Sequence, residues 1–306
     1  MLLVLAQMSF LIACGAFWQR YAPSHIPHSS HRRALTDLVF YILLPSLVLD
    51  TIWRAQLDSS SLQISFIAVC GLATGFILMW LMSKVLRTRS KTTGALILAA
   101  TFPNATYLGL PVLDQVLGSW SNVIALQYDL FACTPILLFF GILLARHYGD
   151  QSAAIHPLKE LAKVPPLWAV TIAIILNIAG VQQPELIHNG LSILAGGVVP
   201  LMLIALGMSI RWNSLRLKAL PILLPVVMIS LILVPISVHL MAQFIELESS
   251  FMTAAVLIAG MPTMVFGIVI CERYQLDSEV YAAAVTLTTI CSLVTLPLWF
   301  QFLAVS

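Results

Sequence analysis

The chain has 306 residues, 60% of them hydrophobic and 9% charged, with a mean hydropathy of +0.97 and a formal net charge of +2. A soluble domain carries about 25% charged residues, so this chain lacks the polar surface to face water, and its small net charge gives no sign of a nucleic-acid partner. The composition is that of an all-α polytopic membrane protein embedded in a lipid bilayer. All five cysteines (Cys14, Cys70, Cys133, Cys271 and Cys291) fall inside apolar stretches without a CxxC pair, and the seven histidines lack metal-ligand spacing. No disulfide, metal or cofactor is expected.

The first apolar stretch, MLLVLAQMSFLIACGAFWQR, has no Lys or Arg before it, its first being Arg20 after it, and it ends without a small-x-small cleavage site. It reads as a first span entering from the outside rather than as a signal peptide. About 20 apolar residues cross the hydrocarbon layer, and ten segments qualify: 2–18, 35–53, 61–83, 93–117, 121–146, 165–181, 186–209, 219–244, 250–273 and 279–304. Their long continuous runs point to helices rather than to barrel strands, which would alternate at every second residue. Arg20, Arg32, Arg33, Lys84, Arg87, Arg89, Lys91, Arg146, Lys159, Lys163, Arg211, Arg216, Lys218 and Arg273 all follow odd-numbered segments, and Arg54 alone follows an even one. By the positive-inside rule those loops are cytoplasmic and both termini lie outside. His25, His28 and His31 join Arg32 and Arg33 in a basic loop facing anionic lipid, most simply as a solvated patch.

The loop at 147–164 divides the chain into a first five-span half, 1–146, and a second, 165–306. With an odd number of spans per half, the second half enters from the opposite face, so any likeness between them is an inverted repeat. Such a likeness is present. Pro45 in FYILLPSLVL of segment 2 corresponds to Pro200 in AGGVVPLMLIALGM of segment 7, and LILAATFPNATYLG of segment 4 to AVLIAGMPTMVFGI of segment 9, pairing Pro103 with Pro262 and Asn104 with Thr263. The expected fold is ten transmembrane helices as a 5+5 inverted repeat, with crossed, proline-broken helices 4 and 9, as in sodium/proton antiporters and bile-acid symporters.

A proline inside a span removes a backbone donor and clashes with the carbonyl four residues earlier, and in lipid the freed groups must find partners in protein or in a water-filled cavity. At Pro103 the polar residues Thr101, Asn104, Thr106 and Tyr107 gather, and Gly109 and Pro111 follow. If the two broken segments cross, helix N-termini and C-termini converge near the midplane, the former favouring an anion and the latter a cation. Asn104 can both donate and accept. Thr101, Pro103, Asn104, Ala105 and Thr106 on one break, with Pro262, Thr263 and Met264 on the other, form the expected substrate site, the amides after the prolines serving a carboxylate. Pro45, Gly109, Pro111 and Pro200 are the expected helix breaks or hinges.

FPNATYLGLPVL resembles the first broken helix of the auxin efflux carrier family, which includes the plant PIN carriers. GMPTMVFGIVICERYQLD with TLTTICSLVTLPL is similar to the second broken helix and the last helix of that family. The resemblance runs over nearly the whole chain, and the absence of a long central hydrophilic loop makes it a short, bacterial-type form. It implies a scaffold of segments 1, 2, 6 and 7, a transport domain of segments 3–5 and 8–10, elevator-like alternating access, a homodimer and an inner-membrane location. The function expected is carriage of a small organic anion, coupled to protons, to sodium or to the potential alone.

Asp129, deep in segment 5, is either a proton- or ion-coupling group or a structural polar contact; its counterpart in the second half is Thr288. Asp37 and Asp50 stand near span ends, where solvent contact is the simpler reading. Asp114 reads as a rim residue, Glu272 and Arg273 as ends of segment 9 paired with the basic loops, and Asn177 has no obvious partner. Other classes fit less well. An intramembrane aspartyl protease would need a Gly-x-Gly-Asp motif beside Tyr128-Asp129, and no HExxH is present, so an enzyme is not expected. A channel would show rings of repeated polar residues. Antiporters place paired acids at the crossing and sodium symporters surround it with acidic and amide ligands; both stay open as alternatives. Reporter fusions test the orientation: a periplasm-dependent reporter should be active at either terminus and at Gly118 and silent after Arg146, and the reverse pattern would overturn it.

Overall fold

The computed structural model describes residues 2–21, 28–55, 59–149, 162–209 and 219–305. His25, His156, Lys159, Arg211, Arg216, Lys218 and most of the 147–164 loop lie outside the described residues. All regular structure among the described residues is helical: α1 (Leu2–Tyr21), α2 (Ser30–Trp53), α3 (Ser59–Val85), α4 (Ser90–Thr101), α5 (Leu110–Leu117), α6 (Ser121–Tyr148), α7 (Pro165–Ile178), α8 (Glu185–Gly207), α9 (Leu220–Phe244), α10 (Ser249–Ala259), α11 (Gly267–Arg273) and α12 (Ser278–Val305). Six of these, α2, α3, α6, α8, α9 and α12, are long and apolar enough to cross a membrane, which together with the composition makes the chain a polytopic membrane protein. Segments 4 and 9 are each in two pieces, α4 with α5 and α10 with α11.

The chain forms two compact units. The first comprises Met1–Asp58, Thr106–Leu126 and Leu158–Ile210. In it α7 and the start of α8 pack on the second half of α2, and the end of α8 packs on α1. The α1–α8 crossing depends on two glycines: a Cβ on Gly15 would collide with the backbone at Ile204, and one on Gly207 with the backbone at Ile12. Such small-residue contact lets two helices approach closely where lipid supplies no hydrophobic drive between them. Asn177, which sequence left without a partner, caps the end of α2, its Nδ2 donating to the carbonyls of Trp53 (2.8 Å) and Ala55 (2.7 Å). These are orphan acceptors of a helix C-terminus. The expected solvent contact for Asp50 is corrected: it is 6% exposed, and it accepts from His188 Nδ1 at 2.8 Å, Gln183 Nε2 at 3.1 Å and Arg54 Nη2 at 3.3 Å. Asp37 does stay at the surface, in an exposed i,i+4 pair with Arg33.

The second unit comprises Ser59–Ala105, Gln127–Pro157 and Arg211–Ser306. Here α3 lies against α4 and α9, while α12 lies against α4, α9 and α10. Its centre is the run Ala95–Ala100 of α4 and the run Ala254–Ala259 of α10, buried throughout. Small side chains there allow close approach, and Gly75 on α3 has room for no Cβ beside the Ala100 carbonyl.

Four of the in-span prolines share one device. π-helical turns at Val39–Leu43, Ala105–Gly109, Tyr128–Cys133 and Ile229–Leu233 end two residues before Pro45, Pro111, Pro135 and Pro235. A wider turn moves the carbonyl four residues back away from the proline ring, which would otherwise meet it. On α9 that carbonyl is Leu231 O, and it accepts from the Trp299 indole Nε1 at 2.9 Å. The bond answers the lipid-phase requirement that freed backbone groups be re-satisfied from elsewhere in the protein.

Trp299→Phe should therefore lower stability by about 1–3 kcal/mol, the cost of orphaning a buried acceptor. In a Pro235→Ala background, where residue 235 regains its own N–H, the same change should cost less. Thermal unfolding in detergent of the two single variants and the double variant checks this; additive losses would contradict it.

Candidate functional site

α4 ends at Thr101, whose Oγ1 donates to Ile97 O at 2.7 Å. Phe102 then turns extended (φ −104°, ψ 107°), as a residue before proline is bound to do. α10 ends at Ala259, and residues 261–264 are likewise non-helical before α11. The two non-helical stretches meet in an antiparallel bridge between Pro103 and Thr263. Asn104 N–H donates to Pro262 O at 2.7 Å, and Met264 N–H donates to Phe102 O at 3.0 Å. Each break thus supplies the hydrogen bonds that the other lost.

Side chains complete the joint. Thr263 Oγ1 donates to Ala99 O at 2.8 Å, tying the second break to the last turn of α4. Thr263 N–H donates to Thr288 Oγ1 at 3.1 Å, and Tyr281 Oη donates to Met264 O at 2.7 Å. Thr288 and Tyr281 were not among the site residues read from sequence. They are seven residues apart on α12, two turns along one helical face, and that spacing of buried polar groups is the signal that marks them.

Thr101, Pro103, Asn104, Ala105, Pro262, Thr263 and Met264 are all buried in the second unit, with Asn104 and Thr263 at 1% exposure. Thr106, also buried, and Gly109 fall in the π-helical turn before Pro111, in the segment grouped with the first unit. The expectation that the amides after the prolines would be open to an anion needs revision. The N–H groups of Asn104, Thr263 and Met264 have the acceptors just described, and Ala105 N–H donates to Pro103 O at 2.9 Å. Pairing the two breaks uses up those donors.

One polar group at the joint is left over. The Asn104 side-chain amide is buried, and neither Nδ2 nor Oδ1 has a hydrogen-bond partner in the protein. A buried amide with two donors and an acceptor unused costs about 1–3 kcal/mol or more unless something else meets it. Asp129, 4% exposed in the π-helical turn of α6, accepts from Thr134 Oγ1 at 3.1 Å. Its neighbour Gln127 donates to Ser61 Oγ at 2.8 Å on α3. Pro45 and Pro200 lie within α2 and α8 of the first unit.

Among the described residues no group of three or more His, Cys, Asp or Glu side chains could hold a metal ion. The arrangement offers no nucleophile–base pairing in these contacts; what it offers is a buried amide beside backbone donors already paired across the breaks.

Residues 4–300 match the sequence model of a family described as membrane transport protein. The chain is 29% identical over 268 residues to an uncharacterized transporter of Methanothermobacter thermautotrophicus, covering 87% of each chain. It is 26% identical over 279 residues to an uncharacterized transporter of Methanocaldococcus jannaschii, covering 88% of this chain and 89% of that one. It is also 23% identical over 275 residues to the uncharacterized transporter YfdV of Escherichia coli, covering 87% of each.

Asn104→Leu, of similar size and without a polar group, should leave thermal stability unchanged or raise it, because no protein hydrogen bond is lost. Thr263→Val should lower it by about 1–3 kcal/mol, because Ala99 O loses its donor. Melting of both variants in detergent tests the contrast; a large loss at Asn104 would show that the amide has a structural partner.

Proposed function

The chain belongs to the membrane transport protein (auxin efflux carrier) family, and from that premise we propose that it is a secondary transporter of a small organic anion, bound where the two helix breaks join. The observation that carries this reading is the unpartnered Asn104 amide, 1% exposed and without a partner on either side-chain atom. A carboxylate would take its N–H donors, and backbone already paired across the breaks would hold it in place without rearrangement. Thr101, Ala105, Thr106, Thr263 and Met264 would shape the pocket around it.

In this reading the ten segments form a 5+5 inverted repeat, and the paired breaks are the crossing of helices 4 and 9. The first half runs over 1–146 and the second over 165–306, joined by the cytoplasmic loop. Segments 1, 2, 6 and 7 act as a scaffold against which segments 3–5 and 8–10 move in elevator fashion, within a homodimer in an inner membrane, the termini outside. Pro45, Gly109, Pro111 and Pro200 are the points at which helices yield. Asp129 is the coupling candidate, since a carboxyl buried in a span is an expected place for a proton to bind.

A second reading, a cation/proton antiporter or sodium-coupled symporter of the same fold, is favoured by that same buried Asp129. Flux measurements in proteoliposomes separate the two. A panel of labelled carboxylates is tested under imposed pH, sodium and voltage gradients, where a potential acts on an anion with about 2.3 kcal/mol per 100 mV. Saturable flux of an acid should fall at least about tenfold in Asn104→Ala, the loss of one hydrogen bond to a charged group. In Asp129→Asn flux should lose its dependence on the pH gradient. Proton or sodium flux without any organic anion would establish the second reading instead.

A further inference from the structure

The first unit contains a cavity of about 810 Å³, lined by none of the residues at the Pro103 and Pro262 breaks. Small-molecule sites commonly span roughly 300–1,000 Å³ with mostly apolar walls and a few placed polar groups. Met8 and Leu11 of α1, Leu47 of α2, Trp120, and Val199 and Leu203 of α8 supply such walls. Among the described residues lining it, Asp50, Arg54 and Asp114 carry full charges, and His188 stands with them.

These groups differ in what they can offer a solute. Asp50 is buried and already accepts from three side chains. Asp114 accepts from Asn122 Nδ2 at 2.9 Å. Arg54 is the opposite case. Its side chain is 51% exposed, and its contacts are long: Nη2 to Asp50 Oδ2 at 3.3 Å, Nε to Asp50 O at 3.4 Å and Nη1 to His188 Nε2 at 3.4 Å. A guanidinium has five N–H donors in a fixed fork, so its capacity is only loosely engaged.

The pairings also fix a proton. Arg54 can only donate, so His188 Nε2 accepts from it, and the imidazole proton sits on Nδ1, where it donates to Asp50. Gln183 donates to the same oxygen of Asp50. Arg54 is thus braced against the wall by the buried Asp50 side chain and the His188 imidazole, with its remaining donors available to the cavity. A planar guanidinium beside apolar walls suits a carboxylate that carries an apolar body.

We propose that this cavity is a second binding site for small carboxylates, with Arg54 as the anion-binding group and Asp50, His188 and Gln183 as the residues that position it. The proposal rests on the transport reading for its setting. By the distribution of basic residues, Arg54 is the one Lys or Arg of the outer face, and there it would hold an organic anion at the entrance on the outer side.

The test is equilibrium binding of labelled benzoate to the full chain in nanodiscs of neutral lipid, with benzamide and benzylamine as neutral and cationic competitors. Wild type should bind two benzoates per chain, neither displaced by benzylamine. Arg54→Gln should remove one, Arg54→Lys should keep it with roughly tenfold weaker affinity, and Asn104→Ala should remove the other. Ser192→Trp fills the cavity from α8 and should remove the same benzoate as Arg54→Gln, which keeps the test decisive if the arginine variant fails to fold. Loss of all binding in Arg54→Gln with none in Asn104→Ala would uphold the cavity and remove the site at the breaks. Full binding in both Arg54→Gln and Ser192→Trp, or benzamide competing as well as benzoate itself, would overturn the cavity site.

Discussion

Backbone N–H and C=O groups shielded from water must be paired within the protein, and this chain breaks its helices inside two of its apolar segments. The breaks at Pro103 and Pro262 persist because each supplies what the other lacks: Asn104 N–H goes to Pro262 O, and Met264 N–H returns to Phe102 O. Thr263, Thr288 and Tyr281 take up further groups around the joint. The close packing of α3 at Gly75 against the end of α4 follows from the same need, since a bulkier residue would push the joint apart. With these backbone donors paired, the Asn104 side chain at the joint is left without a partner on either polar atom.

That remainder gives the joint its functional interest. Rigid backbone positions a binding group more exactly than a mobile loop, and a buried amide held in readiness loses little freedom when a ligand arrives. The π-helical turns before Pro45, Pro111, Pro135 and Pro235 serve a different end. They clear the carbonyl four residues before each proline while the helical run continues.

The sequence carried the breaks plainly. Pro103-Asn104 and Gly109-x-Pro111 within an apolar run are hard to read as anything but interrupted helix, and the matching Pro262 gave the pairing. The bonds that consume the backbone amides were hidden, because they join residues about 160 positions apart and no local pattern encodes which donor meets which acceptor. Asn177 looked partnerless for the same reason, since its acceptors lie at the end of α2. Asp50 looked solvent-exposed because distance from a span end is a poor guide to burial once Gln183 and His188 close over it. Thr288 appeared only as the uncharged counterpart of Asp129, whereas its hydroxyl supports the second break directly.

The central claim is that the Asn104 amide is left unpaired by the protein in order to hold the transported acid. The most direct measurement is the NMR signal of the Asn104 side-chain NH2 group in ¹⁵N-asparagine-labelled protein, assigned by its disappearance in an Asn104 variant and followed as a transported carboxylate is added. A saturable shift of that signal, with a midpoint matching the concentration dependence of flux, is the predicted result. An unmoved signal at concentrations that saturate transport would place the substrate elsewhere and contradict the account.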